Sequence, residues 1–362
     1  MEIENNNLQE HLELRYGEPN VQIYSCEKYS RSDIMDSLPV PVKVEIDDSE
    51  LLTWEVFEAL YPHLTSDYDK FEEFKRSNIA KFNWVFLSHI QYLLRVPEED
   101  LLYMVKSSRN RDIITAEEQE KLRHLRIGIV GLSVGQSSAL TLAQSGVGEH
   151  FKLADPDKLA YSNVGRIPVG GIKDIGRLKT YIAGEAMLDK NSYLKIEYYN
   201  EAITKENMRK FLEGLDYVVD AFDSIQAKIT LRRIAKELGI TVVMGTDIEY
   251  GARIDIEGPE DHIFLGSLSE EELSEIENME DIPKNMRNII IPKILGFKSI
   301  DELPFRLRRH LESMKDGNIP WMSQLAIASS QVGGLVTRSI VDSTLDGIQS
   351  VERRQKTELT GI

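Results

Sequence analysis

The sequence predicts an α/β protein: a Rossmann-like, mostly parallel sheet with helices on both faces, preceded by a small α+β, winged-helix-like module. Three observations predict this. From about Leu125 onward, short β-branched runs alternate with helical stretches, as in a parallel sheet covered by helices. The run RIGIVG ends in GLSVG and opens a helix, giving strand–turn–helix order. The first hundred residues follow a different order, strands and then helices, so they form a separate zone.

In chain order, VQIYSC and VPVKVEI read as short strands, with Pro39 and Pro41 marking an edge or turn. Helical spacing predicts helices over about Ser49–Leu64, Ser66–Ala80 and Asn83–Arg95. After RIGIVG comes a helix through Ala139 and Leu142 that ends near Gly146, then the strand HFKLAD. A helix over about Asp174–Asp189, the strand LKIEYY and a helix over Lys205–Leu212 follow. The strand YVVDAF, a helix over Gln226–Leu238 and the strand TVVMGT complete the alternation. Ile254–Pro283 carries eleven acidic residues and no Lys or Arg, which reads as a solvated loop or surface helix, or as a lid for a basic substrate segment. SQLAIASSQVGGLVTRSIV reads as a helix whose small residues allow close packing against the sheet or a partner subunit. The expected divisions are residues 1–105, 106–350 and a charged, mobile tail, 351–362.

Composition narrows the function. The chain has 362 residues, 41% of them apolar and 28% charged, as in an ordinary soluble globular protein. It has no apolar run of the ~20 residues that span a bilayer, and its acidic, polar start is unlike a secretory signal, so a cytoplasmic protein is expected. A net charge of −17 argues against general nucleic-acid binding. Cys26 is the only cysteine, so a disulfide within the chain and a Cys-rich zinc site are both excluded.

Five groups of residues carry candidate chemistry. In GLSVG, Gly131 and Gly135 let the backbone approach a nucleotide, although Ser133 and Gln136 stand where a dinucleotide fingerprint prefers glycine. Asp155 ends the second strand, where a carboxylate suits ribose hydroxyls. Asn163, Arg166 and Lys179 follow in order, and two cations near a nucleotide crevice can clamp phosphates. In DAFD, Asp220 to Asp223, a strand-end carboxylate can hold Mg²⁺ or cap the following helix. Arg109 and Arg111 precede a helix start at Thr115, where Glu118 completes a capping box.

Together these residues resemble the superfamily of ubiquitin-activating enzymes, MoeB and ThiF, over about Arg109–Glu257 and more loosely to Gly347. The resemblance implies an ATP-dependent adenylyltransferase. Asp155 would bind ribose, and Asp157, Asn163, Arg166 and Lys179 the nucleotide. Asp223 would hold Mg²⁺, with the glycine turn (Gly131, Ser133, Gly135) beside the phosphates. Arg111 would reach the neighbouring protomer's site in a homodimer. The zinc-binding CxxC pairs and the thioester cysteine of many members are absent, and Ser224 stands where asparagine is usual after Asp223. That pattern resembles the peptide-maturation branch, whose members adenylate a carboxylate of a ribosomal precursor peptide and let an internal nucleophile attack it. Some of them carry an amino-terminal leader-binding module, which residues 1–110 could supply. The alternatives are adenylation of a carrier protein or a modified tRNA carboxylate, an NAD-dependent oxidoreductase, which needs only GLSVG and Asp155, and a non-catalytic scaffold.

Overall fold

The computed structural model describes residues 17–77, 81–319, 321–348 and 354–357. The chain divides into two compact units, one running to Glu120 and including Gly184–Leu194, the other comprising Lys121–Ala183 and Lys195 onward.

The first unit is built on a four-stranded sheet of order β1-β3-β4-β2, from β1 (Val21–Ser25), β2 (Val44–Ile46), β3 (Phe82–Leu87) and β4 (Tyr92–Pro97). Helices α1 (Arg31–Ser37), α2 (Ser49–Leu60), α3 (Tyr68–Ser77) and α4 (Glu99–Ser107) accompany it. A buried aromatic cluster of Phe57, Phe71 and Phe74 joins α2 to α3, with Trp54 edge-on to Phe71 at 4.6 Å between centroids. The helix expected over Asn83–Arg95 is instead the antiparallel β3–β4 hairpin, with Trp84 opposite Arg95. Its apolar run is too short for periodicity to separate helix from buried strand, and the aromatic and β-branched residues Trp84, Val85 and Phe86 favour the strand. Gln91, at φ 59°, makes the turn. The strand expected over VPVKVEI narrows to its last three residues. Residues 78–80 of the expected second helix lie outside the described residues.

The second unit holds a seven-stranded sheet of order β11-β10-β9-β8-β5-β6-β7. Its strands are β5 (Arg126–Val130), β6 (His150–Ala154), β7 (Lys195–Tyr199), β8 (Tyr217–Asp220), β9 (Thr241–Ile248), β10 (Gly251–Glu257) and β11 (Arg354–Thr357). The five from β9 to β7 are parallel, and β10 and β11 add antiparallel. Its helices are α6 (Gly135–Ser145), α8 (Lys205–Leu212), α9 (Ile225–Leu238), α10 (Glu270–Glu277), α11 (Lys284–Ile294), α12 (Phe305–Lys315) and α13 (Ala326–Asp346); α5 (Ala116–Arg123) ends and α7 (Lys179–Leu188) begins in this unit. Phe211 of α8 and Leu231 and Ala235 of α9 bury one sheet face with Val130, Val218 and Val242.

On the other face, α13 packs tightly, as its small residues predict. A Cβ on Gly245 would lie 2.4 Å from Val332, and one on Gly333 would lie 2.5 Å from the Ser137 carbonyl oxygen. Two expectations need correction. Within the expected mobile tail, Arg354–Thr357 pairs antiparallel with the outer edge of β10, whose backbone groups would otherwise lack strand partners. The acidic stretch from Ile254 is not one solvated segment: Asp255 and Glu257 lie buried in β10, held by Arg253 at 3.2 Å and Arg232 at 2.9 Å. No helix among the described residues is long and apolar enough to cross a membrane.

Candidate active site

The candidate site forms at the carboxyl ends of β5, β6, β8 and β9, where open parallel sheets bind ligands. Gly131 adopts φ +86°, and a Cβ there would sit 2.3 Å from the Ala221 carbonyl oxygen. Glycine is therefore required so that the GLSVG turn can lie against DAFD, and a Cβ on Gly135 would lie 3.0 Å from the Ile129 side chain. Sequence reasoning linked these glycines to a ligand; the structure links them first to the neighbouring strand end. Helix α6 begins after Val134, which offers no side-chain acceptor to its first turn.

Three predicted residues come together on one side. Asp155 is buried, and its carboxylate accepts the N–H groups of Leu132 at 2.6 Å and Asp157 at 2.8 Å. Burial raises its pKa against the opposing pull of Lys179. The Lys179 ammonium, also buried, lies 2.8 Å from Asp157 and 3.6 Å from Asp155. Arg166 reaches the glycine turn, its Nε 3.4 Å from Ser133 Oγ, and Ser133 in turn donates to Gln324 at 3.2 Å. Asn163 caps its own turn by accepting the Ala160 N–H at 2.9 Å.

The two aspartates of DAFD have separate fates. Asp220 is fully buried and bound by Lys228 at 2.9 Å and Arg232 at 2.5 Å. Burial opposes its charge, but the two cations outweigh burial and hold its carboxyl below the usual range. Ser224, not Asp223, caps α9 by accepting the Ala227 N–H. This leaves the exposed Asp223 carboxylate uncommitted at the mouth of a cavity of about 740 Å³, a volume within the ~300–1,000 Å³ of ligand pockets. Asp247 of β9 lines the same cavity. Its Oδ2 is buried without a hydrogen-bond partner, and burial pushes its pKa up to about 6. Sequence reasoning missed Asp247, although the signal was present. Asp220 pairs with Met244 across β8 and β9, so Asp223 and Asp247 each lie three residues beyond a bonded pair.

Among the described residues no group of three or more His, Cys, Asp or Glu could hold a metal, so an ion here would rely on Asp223 and phosphate oxygens. Arg111 lies in the first unit, where its guanidinium donates to the Ala59 carbonyl.

A glycine turn opening a helix, buried Asp155 and Lys179, and an open strand-end carboxylate together form the kind of strand-end site at which open α/β sheets take ligands. The ThiF family model matches residues 107–281, a little under half of the chain. An uncharacterised Mycobacterium tuberculosis protein, MT1398, is 38% identical over 187 residues, covering 49% of this chain and 26% of that protein. A tRNA threonylcarbamoyladenosine dehydratase of Haemophilus influenzae is 31% identical over 133 residues, covering 36% of this chain and 51% of that one. The matched stretches thus span about a quarter and about half of these relatives' lengths. Among solved structures, that of PaaA aligns over 72% of this chain and 80% of its own, with a TM-score of 0.47 and 20% identity.

Proposed function

We propose that this protein is an ATP-dependent adenylyltransferase that activates a carboxylate of a ribosomal precursor peptide, a Glu or an Asn/Asp-type group, for attack by a nucleophile of the same molecule. The observation that carries the reading is the uncommitted Asp223. It stands at the cavity beside the glycine turn, with Arg166 reaching Ser133 of that turn and Lys179 held at Asp155 and Asp157.

In this reading Asp155 fixes the glycine turn through Leu132 and offers its remaining lone pairs to ribose. Lys179 exchanges its contact with Asp157 for phosphate oxygens, and Arg166 gives up its long contact with Ser133 to do the same. Asp223 would hold Mg²⁺, which supplies charge neutralisation on the triphosphate. The substrate carboxylate attacks the α-phosphorus, pyrophosphate leaves, and the resulting mixed anhydride is open to a nucleophile, with AMP as the second leaving group. These residues act by position and charge, because charge builds on phosphate oxygens during transfer. Arg111 would add a cation to the site of the partner in a homodimer.

A second reading, adenylation at a modified tRNA carboxylate, is favoured by the likeness to the tRNA threonylcarbamoyladenosine dehydratase. The net charge of −17 weighs against it, since RNA binding draws on basic surface. Pyrophosphate exchange into ATP tests both. Exchange that requires an added precursor peptide supports the first reading, exchange that requires tRNA supports the second, and undiminished exchange in Asp223→Ala removes the assignment of Asp223.

A further inference from the structure

The cavity has two unlike ends. Near Val134, Ala221 and Asp223 it is bounded by the turn and strand ends of the region that the ThiF family model matches. Its other end is walled by Ile291 and Ile294 of α11, Leu307 and Met314 of α12, and Met322 just before α13. Every one of these five lies beyond residue 281, where the family match stops. The apolar end is therefore built by residues outside the matched family region, and the same cavity is lined by the Asp223 carboxylate. At the joint between the ends stand Thr246, Asp247 and Gln324, and Asp247 Oδ2 is buried with no donor facing it. A buried carboxylate oxygen without a donor is costly, and a ligand N–H placed there removes that cost.

We propose that the apolar end seats an apolar side chain of the substrate peptide next to the carboxylate being activated, while Asp247 accepts a backbone N–H of the same peptide. This deepens the adenylation reading and rests on it. A peptide satisfies both ends at once, one with its side chain and the joint with its amide. A plain hydrocarbon chain would fill the apolar end and leave Asp247 without a donor. Met314 and Met322 suit the role because unbranched, polarisable side chains adapt to occupants of different shape.

The test uses stable mimics of the activated substrate, 5′-O-(N-acylsulfamoyl)adenosines, whose binding to the full chain is measured by calorimetry. The expected result is that the leucyl compound binds at least about tenfold more tightly than the glycyl compound, the gain from burying one aliphatic side chain. Met322→Glu and Met314→Glu should each erase that preference and leave the glycyl affinity unchanged. Met322 is 41% exposed, so its substitution spares the core and the variant should melt like the parent. Equal affinity for the two aminoacyl compounds, with ATP still bound, would overturn this inference and leave the adenylation reading standing. A decanoyl compound that outbinds the leucyl one and is indifferent to Asp247→Asn would overturn the peptide assignment in favour of a fatty chain. Failure of ATP and all three mimics to bind would overturn the adenylation reading and this inference with it.

Discussion

Two pairs of acidic residues on the same sheet and its strand ends meet opposite fates. Asp220 and Glu257 are buried and share Arg232, which lies 2.5 Å from one and 2.9 Å from the other and stacks 4.3 Å from the Phe264 ring centroid. Lys228 and the Phe264 N–H complete that group. Asp223 lies just past the end of β8 and Asp247 near the end of β9, yet among the described residues one is left uncommitted at the cavity and the other keeps an oxygen without a partner. Charge that is closed on itself holds the sheet together. In the proposed reading, charge that is left open is where a ligand is met.

The comparison breaks most visibly at Arg232. Replacing it with methionine strands Asp220 and Glu257 without their shared cation, so stability should fall by about 3–5 kcal/mol, read from chemical denaturation. A loss under about 1 kcal/mol would show that the buried group is not what closes this region. Asp223→Asn should do the reverse: it should melt with the parent, within about 0.5 kcal/mol, while pyrophosphate exchange drops at least about a hundredfold.

Asp247 sharpens the contrast through pH. Its folded pKa of about 6 lies above the ordinary aspartate value of 3.8, so the folded state binds the extra proton between those values. Stability should therefore decline as pH rises from about 4 to about 6 and then level off, by at most about 3 kcal/mol. Asp247→Asn should flatten that segment of the denaturation profile, and an unchanged slope would place the cause elsewhere. The smallest effect belongs to Ser224→Ala. Loss of the α9 cap should cost about 1 kcal/mol and leave exchange nearly intact, which separates the cap from its neighbour Asp223.

The parallel part of the sheet was legible because each strand from β5 to β8 is followed in the chain by a helix. The helix expected over Lys205–Leu212 matches α8 residue for residue. Asp155, Lys179 and Asp223 were legible because strand ends and helix starts restrict where a side chain can point. Asp247 was not, because its meaning depends on the cavity wall opposite, contributed by residues some forty to seventy-five positions later. That wall carried weak signals: Pro283 and Pro304 stand directly before α11 and α12, as prolines do at helix starts. The hairpin of β3 and β4 was misread because a run such as FNWVFL satisfies helical and strand spacing alike until its partner strand is known.

The central claim is that Asp223 is left open for a metal-bound triphosphate. The most direct measurement is calorimetric titration of ATP, with and without magnesium, into the parent and into Asp223→Asn. The account predicts that magnesium tightens ATP binding to the parent at least about tenfold and has little effect on the variant. The same magnesium dependence in both proteins would contradict it.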